Sequence, residues 1–255
     1  MSVPTYPDLA GKVAVVTGGS RGIGAVTCRF FAANGMKVMV SGRDKDAIQS
    51  VVDGIRGDGG TAVGAVADVT DAAAVAELRE ATERELGPAD VLAAFAGFDL
   101  GQGALDEVTE DNWHAVLDGN LTSTFLTVQA FLPGMQERAG GSIITMASTA
   151  GRAPGRSSIP YATAKAAVLM FTKRVALDAG PHNVRINSIA PSAILTERQE
   201  QRIPAEVREQ VAKQFPIARW GTPEDCANSA LFLASNASGW VTGQTIDVAG
   251  GRIML

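Results

Sequence analysis

Short apolar, β-branched runs alternate along the chain with longer segments in which apolar residues recur every three or four positions. The first pattern predicts buried strands, and the second predicts amphipathic helices. The predicted strands cover 13–16, 38–40, 62–67, 91–95, 142–147, 184–189 and 245–248, and the helices cover 22–34, 44–56, 71–86, 111–136 and 161–179. This alternation predicts an α/β fold in which helices flank a doubly wound, about seven-stranded parallel sheet.

One segment, 192–221, departs from the alternation. It is long and charged, and Pro204 and Pro216 interrupt it. Such a segment suits a small helical lid that moves over a binding site. Neither a repeat nor a change in composition divides the chain, so residues 1–255 are predicted to form a single domain.

Charge and hydropathy narrow the choice of partners. The chain carries 22 basic and 27 acidic residues, a formal net charge of −5, so it has no surplus of cations for a polynucleotide. No apolar run reaches the roughly 18 residues of a membrane-spanning helix, and residues 1–11 lack the basic and apolar regions of a secretion signal. These features predict a cytoplasmic protein without a nucleic-acid or membrane partner.

Cysteine and histidine are sparse. Cys28 and Cys226 lie 198 positions apart, and His114 and His182 lie 68 apart. These spacings fit neither a disulfide framework nor a metal site. We therefore predict no bound metal.

A glycine-rich segment follows the first predicted strand and opens the first predicted helix. It reads Thr17-Gly18-Gly19-Ser20-Arg21-Gly22-Ile23-Gly24. Glycines allow a tight turn and a close approach of the backbone to a pyrophosphate, which a helix N-terminus attracts. The alternative is a turn that merely requires positive φ at its glycines.

The end of the second strand bears on which dinucleotide would bind. NAD sites usually carry an acidic residue there for the ribose 2′-OH, whereas a 2′-phosphate requires cations. Arg43 stands at this position and Arg21 lies in the glycine turn, so the sequence favours NADP(H), with NAD(H) as the alternative. Asp44 argues for NAD, but it also suits the N-cap of the next helix. Asp68 and Val69 suit the adenine edge of the cofactor, and Asp68 equally suits a cap of the following helix.

Tyr161 and Lys165 are spaced i and i+4 at the start of a predicted helix. Both side chains therefore lie on one helix face. A cation beside a phenol favours the phenolate, so we expect Lys165 to lower the pKa of Tyr161 and to make proton transfer feasible near neutral pH.

With these motifs in place, the sequence resembles the short-chain dehydrogenase/reductase family in its single-domain form, and is similar to its 3-oxoacyl-[acyl-carrier-protein] reductase members. The family's Thr-Gly-x-x-x-Gly-x-Gly turn is matched by 17–24, and its Tyr-x-x-x-Lys motif by 161–165. Its serine, 13 residues before the tyrosine, is matched by Ser148, and the asparagine of its long fourth helix by Asn120. The likeness spans nearly the whole chain.

The resemblance implies a Rossmann-type fold and a catalytic group formed by Asn120, Ser148, Tyr161 and Lys165. Ser148 would hold the carbonyl, Tyr161 would donate the proton, and Lys165 would bind the nicotinamide ribose. Asn120 would hold a water that links Lys165 to solvent, although a tolerated polar residue in a helix is the alternative. Together with the residues argued above, the residues expected at the cofactor are Thr17, Gly18, Ser20, Arg21, Gly22, Ile23, Gly24, Arg43, Asp68, Val69, Ala96, Gly97, Tyr161, Lys165, Pro191, Ile194 and Thr196.

Two segments depart from the family pattern. Where Asn-Asn-Ala-Gly is usual after the fourth strand, the chain reads Ala94-Phe95-Ala96-Gly97. The change removes an amide that would support the central strands, and Phe95 must find an apolar site. The usual Pro-Gly after the sixth strand is Pro191-Ser192, which reduces the backbone freedom at the hinge of the lid.

The family implies an NADP(H)-dependent enzyme that transfers a hydride between the nicotinamide and a carbonyl or secondary alcohol, such as a 3-oxoacyl thioester or another ketone. A non-catalytic NADP(H)-binding sensor or scaffold is the alternative, because fold does not imply function. A carrier-protein partner would need basic residues near the entrance, and an anionic substrate would need them on the lid. The candidates are Arg138, Arg152, Arg156 and Arg174 for the first, although a solvated helix face explains such charges at least as well, and Arg198, Arg202 and Arg208 for the second.

The family also implies a homotetramer, with the long fourth and fifth helices and the C-terminal segment at the interfaces. Trp240, Ile253, Met254 and Leu255 are apolar enough to be buried there, although monomer cores use such residues too.

Overall fold

The computed structural model describes residues 3–101 and 103–254. Within them, seven strands form one parallel sheet in the order β3-β2-β1-β4-β5-β6-β7. The strands are β1 Val13–Thr17, β2 Lys37–Gly42, β3 Thr61–Val66, β4 Val91–Ala94, β5 Gly141–Met146, β6 Val184–Pro191 and β7 Thr245–Val248. The predicted Rossmann-type, seven-stranded parallel sheet is confirmed.

Helices connect successive strands and lie on both faces of the sheet. They are α1 Gly22–Ala33, α2 Lys45–Gly57, α3 Ala72–Glu85, α4 Glu110–Leu117, α5 Ser123–Glu137, α6 Ile159–Ala179, α7 Glu197–Arg202, α8 Ala205–Ala212 and α9 Pro223–Ala234. Val16 of β1 belongs to an apolar cluster with Phe31 of α1, whereas its neighbour Val15 belongs to the opposite cluster with Phe131 of α5. The sheet is thus buried on both sides, as a doubly wound fold requires. No helix in the described part of the chain is long and apolar enough to span a membrane.

The order of the strands creates a crevice at one edge of the sheet. From β1 the chain winds outward through β2 and β3, then returns to β4 beside β1 and winds the other way. The connections that leave β1 and β4 therefore diverge at the carboxyl ends of these strands, where open α/β sheets bind their ligands. The glycine-rich segment 17–24 and the segment 95–97 meet there.

The helix predicted at 111–136 is interrupted. α4 ends at Leu117, and a π-helical turn over Asp118–Thr122 joins it to α5. Phe98 packs against this turn so closely that a Cβ on Gly119 would lie 2.3 Å from its ring. A π turn inserts one residue into the helical ladder and often marks a functional site, and this one holds Asn120.

Both departures from the family pattern are accommodated without strain. Phe95 is 8% exposed and joins the apolar cluster on the α1 side of the sheet. Ser192 has a negative φ, because the described non-glycine residues with positive φ are Ala139 and Asn183. A glycine is therefore not required after Pro191. The segment that follows forms the short helices α7 and α8, separated at Pro204.

Candidate active site

Ser148 and Tyr161 meet beyond the carboxyl end of β5. The Ser148 hydroxyl accepts a hydrogen bond from the Ala150 amide at 3.1 Å and lies 3.4 Å from the Pro191 carbonyl at the end of β6. Tyr161 stands in the first turn of α6, whose N-cap Ser158 accepts a hydrogen bond from the Tyr161 amide at 3.3 Å. Strand ends and a capped helix thus fix both hydroxyl groups.

Lys165 lies one turn further along α6 and is 2% exposed. Its Nζ donates a hydrogen bond of 2.7 Å to the Met146 carbonyl and lies 5.5 Å from the centroid of the Tyr161 ring. Burial lowers the pKa of the Lys165 ammonium to about 7. The sequence places this amine beside the phenol, and the fold withdraws it from water.

The pKa of Tyr161 moves in the direction opposite to the expected one. Burial raises this pKa, the Ser148 hydroxyl acts in the lowering sense, and the negative charge of Asp99 raises it further. The expectation that Lys165 lowers the pKa of Tyr161 is wrong for the protein alone. The amine of Lys165 donates its hydrogen bond to the Met146 carbonyl. Burial also lowers the pKa of Lys165, so the amine carries a positive charge in a smaller fraction of molecules. Tyr161 is therefore a neutral phenol, a proton donor in its resting form.

Asn120 turns toward the same space from the π-helical turn. Its Nδ2 donates hydrogen bonds of 2.8 Å to the carbonyls of Phe98 and Val116. Its buried Oδ1 has no hydrogen-bond partner among the described residues. A Cβ on Gly97 would lie 2.4 Å from this Oδ1 and 3.2 Å from Lys165 Nζ. The two polar atoms thus flank the space above Gly97, and only a glycine fits between them.

The glycine-rich segment forms a cradle at the end of β1. Gly18 and Gly22 have φ values of +65° and +51°, and a Cβ on Gly24 would lie 2.1 Å from the Gly18 carbonyl oxygen. Arg21 at the N-cap makes no side-chain cap hydrogen bond, so the first amides of α1 remain available for an anion. The turn requires positive φ, as the alternative interpretation held, and its shape also fits a dinucleotide pyrophosphate.

The candidate residues for the adenosine end lie beyond β2 and β3. Arg43 is exposed at the end of β2, whereas Arg21 forms an ion pair with Asp44. Asp44 also caps α2, accepting a hydrogen bond of 3.0 Å from the Ala47 amide. The cation of Arg21 is thus partly neutralised, whereas Arg43 forms no ion pair among the described residues and its charge acts on Asp68 beyond β3.

Asp68 is bound locally. Its carboxylate accepts hydrogen bonds from the amide and hydroxyl of Thr70, at 3.0 and 2.7 Å, which hold its pKa below the usual range. Asp71, not Asp68, caps α3. Val69 packs into the core on the α3 side of the sheet, so only its backbone is free to meet an adenine ring.

The remaining candidate residues follow β4 and β6. Ala96 and Gly97 follow β4 after Phe95, and Pro191 ends β6. Ile194 forms an isolated parallel bridge with Gly221. Thr196 is the N-cap of α7, and its Cγ2 would lie 3.2 Å from a Cβ on Gly22. The start of the 192–221 segment therefore faces the glycine cradle.

The basic surface expected at the entrance is not assembled. Arg138 donates a hydrogen bond to the Ala89 carbonyl, just before β4 begins and thus at the opposite edge of the sheet. Arg152 is paired with Asp247 at 2.8 Å, and Arg174 with Asp178 at 2.7 Å. In the segment 192–221, Arg208 is paired with Glu200 at 3.1 Å. Arg156, Arg198 and Arg202 are exposed candidates that form no ion pair among the described residues.

Sequence reasoning missed two residues that shape the site. Ser158 caps α6, and a serine followed by Pro160 in the first turn is a sequence signal that predicts the start of a helix. Asp99 follows the Ala96-Gly97 pair by two positions and acts on Tyr161 through its charge. No sequence signal places that charge beside the phenol, because the two residues lie 62 positions apart.

Comparison with known proteins assigns the chain to a family. Residues 18–252 match the family model described as enoyl-(acyl carrier protein) reductase. Gluconate 5-dehydrogenase of Gluconobacter oxydans (strain 621H) is 35% identical over 252 residues, which are 98% of each chain. The 7α-hydroxysteroid dehydrogenase of Escherichia coli (strain K12) is 36% identical over 245 residues, 96% of this chain and 95% of the relative.

A solved structure agrees with these matches. The crystal structure of a 3-oxoacyl-[acyl-carrier protein] reductase with bound NAD from Brucella melitensis is 33% identical, with a TM-score of 0.90 over 98% of this chain and 94% of that one. The chain therefore belongs to the short-chain dehydrogenase/reductase family and is an oxidoreductase of the kind that binds NAD(H) or NADP(H).

Proposed function

We propose that the protein is an NADP(H)-dependent oxidoreductase that transfers a hydride between the nicotinamide and a ketone or secondary alcohol, such as a 3-oxoacyl thioester. The observation that carries the proposal is the convergence of Ser148, Tyr161 and Lys165 beyond the end of β5, beside the space above Gly97.

Each side chain has a role that follows from its chemistry. The bound nicotinamide supplies the hydride in reduction and accepts it in oxidation. The Ser148 hydroxyl donates a hydrogen bond to the substrate oxygen, where negative charge develops. Tyr161, which burial keeps neutral, gives its proton to that oxygen. Lys165 binds the ribose hydroxyls, and Asn120 Oδ1 holds a water that reconnects Lys165 with solvent.

The segment 192–221 acts as the lid within a single domain of residues 1–255. Support comes from the contact between Thr196 and the glycine cradle and from the bridge between Ile194 and Gly221. Closing such a segment over the cofactor excludes water from the reacting atoms.

A substrate panel tests the proposed reaction. Purified protein is supplied with NADPH and with 3-oxoacyl thioesters, cyclic and aromatic ketones or sugars, and loss of absorbance at the nicotinamide band is followed. Consumption that depends on one carbonyl class supports the proposal and identifies the substrate class. Tight NADPH binding without consumption across the panel would favour a non-catalytic binding protein instead.

Replacing Arg43 with Asp shifts the cofactor preference toward NADH. Arg43 forms no ion pair among the described residues, so its guanidinium is available to bind a 2′-phosphate. In the variant a carboxylate stands at this position and repels the 2′-phosphate. Charged hydrogen bonds of this kind change affinity by about tenfold to a hundredfold. The ratio of the NADPH and NADH dissociation constants measures the effect. Arg29→Asp, an exposed change of equal charge on α1, is the control; an unchanged ratio in Arg43→Asp contradicts the assignment.

The protein is proposed to assemble as a homotetramer. Large apolar side chains are exposed on α5 and α6 and near the C-terminus, namely Phe125 (42%), Met170 (63%), Leu177 (71%), Trp240 (100%) and Met254 (81%). Exposed groups of this size are typical of interfaces. Ile253 is half-buried, and Leu255 lies outside the described residues. Light scattering at micromolar protein is expected to return four times the chain mass of 26.4 kDa, and a monomer mass would refute the assembly.

A further inference from the structure

Asp99 is an acidic residue fixed at the mouth of the candidate site. It lies on the segment that leaves β4, and its carboxylate accepts hydrogen bonds from the amides of Gly101 at 3.1 Å and Ser158 at 3.3 Å. Ser158 in turn accepts a hydrogen bond from the Tyr161 amide. The carboxylate is therefore held against the first turn of α6, beside the phenol that would protonate the substrate.

The charge of Asp99 is not neutralised by its surroundings. No Lys or Arg within residues 3–101 and 103–254 forms an ion pair with it, and Arg152 is bound to Asp247 at 2.8 Å. The charge of Asp99 raises the pKa of Tyr161, as burial does, whereas the hydrogen bond with Ser148 lowers that pKa. Lys165, the other charged group near the phenol, is bound to the Met146 carbonyl. A substrate that approaches Tyr161 therefore enters the field of an unpaired anion.

A cavity adjoins the residues that hold this carboxylate. It has a volume of about 130 Å³ between the segment after β4 and the starts of α4 and α6. Its wall includes Leu100, Gly101, Val108, Asn112, Ser158 and Pro160. The wall mixes polar and apolar groups and also contains the carboxylate of Glu107, and none of the described residues that line it is a cation that would bind an acidic substituent.

We propose that Asp99 is a specificity-determining residue: its carboxylate favours carbonyl substrates that offer it a hydrogen-bond donor, such as a hydroxyl, and disfavours substrates with a negative charge beside the reacting carbonyl. A carboxylate only accepts hydrogen bonds, and the exposed carboxylate of Asp99 repels a second anion that is brought close to it. This inference rests on the proposed reaction at Tyr161 and names the substrate class for it.

The first test measures the effect of the Asp99 charge on the pKa of Tyr161 and requires no turnover. Because Tyr6 and Tyr161 are the two tyrosines of the chain, phenolate absorbance in a Tyr6→Phe background reports on Tyr161 alone. Asp99→Asn retains an acceptor for the loop amides but removes the charge, so the pKa of Tyr161 is expected to fall. Asp106→Asn, an exposed change in the same segment, is expected to leave it in place. An unchanged titration in Asp99→Asn overturns the inference.

The second test compares two β-keto compounds that differ in charge, ethyl acetoacetate and acetoacetate. Asp99→Asn is expected to raise the kcat/KM for acetoacetate, relative to that for the ester, by about three- to tenfold, whereas Asp106→Asn leaves the ratio unchanged. A shifted titration with an unchanged ratio overturns the selection of substrates by charge.

Binding separates this inference from the proposed reaction. The affinities of the two compounds for the cofactor-loaded protein are measured by calorimetry, so that a protein that reduces neither compound still returns a ratio. An altered binding ratio without turnover supports the role of Asp99 and counts against the reaction. Turnover of both compounds with the same ratio in wild type and variant supports the reaction and overturns the role of Asp99.

Discussion

Tyr161→Phe lowers the rate of ketone reduction by about a thousandfold, because a positioned general acid contributes roughly two to four orders of magnitude. The variant keeps the ring, which packs at the start of α6, and loses only the hydroxyl that faces Ser148. Burial keeps this phenol protonated, so the wild-type enzyme holds the required proton throughout the neutral range. The loss should therefore fall on kcat, while cofactor affinity stays within about threefold.

Single-turnover absorbance of the bound nicotinamide, together with a cofactor titration, measures both quantities. Tyr6→Phe is the matched control, because Tyr6 lies near the N-terminus and its hydrogen bonds to Asn34 and Leu9 use its backbone rather than its phenol. This control should retain full activity. Turnover that survives in Tyr161→Phe would remove the phenol from the reaction and direct attention to Ser148 as the source of the proton.

Periodic features of this chain could be predicted from sequence because they repeat along it. Buried parallel strands need continuous apolar runs, and their crossover helices need apolar residues at helical spacing. The i, i+4 spacing of Tyr161 and Lys165 likewise fixes their shared face before any tertiary structure is known. Caps such as Asp44 follow from local chemistry, and the structure confirms that Asp44 caps α2.

Features that arise from tertiary contacts could not be predicted. The π-helical turn at Asn120 accompanies the packing of Phe98 against Gly119, two residues from different elements. The raised pKa of Tyr161 reflects burial and a charge that lies 62 positions away at Asp99. The position of Arg138 could not be predicted for the same reason, since its place in the sequence did not show that it lies at the opposite edge of the sheet.

Lys165→Met makes the protein more stable at neutral pH while lowering its activity by about a hundredfold, the lower end of what proton-transfer groups contribute. The buried amine has a pKa of about 7 in the folded chain, against 10.5 for an ordinary lysine. Folding therefore weakens its hold on a proton, at a cost on the order of 4 kcal/mol when the group is charged in both states. Methionine fills a similar volume without that cost. It leaves the Met146 carbonyl without its hydrogen bond, and this loss reduces the gain in stability by about 1–2 kcal/mol.

The dependence on pH distinguishes this cause from better packing. A depressed lysine pKa destabilises the folded state fully below pH 7, progressively less as pH rises, and not at all above about 10.5. The melting temperature of Lys165→Met should therefore exceed that of wild type by roughly 5–10 °C at pH 7. The gap should close as pH rises and reverse near pH 10.5, where only the lost hydrogen bond to the Met146 carbonyl remains. Lys173→Met, an exposed change on the same helix, should show neither effect. A gap that persists unchanged at high pH would mean that methionine packs better, and that the amine of Lys165 is not held in the folded protein at a stability cost.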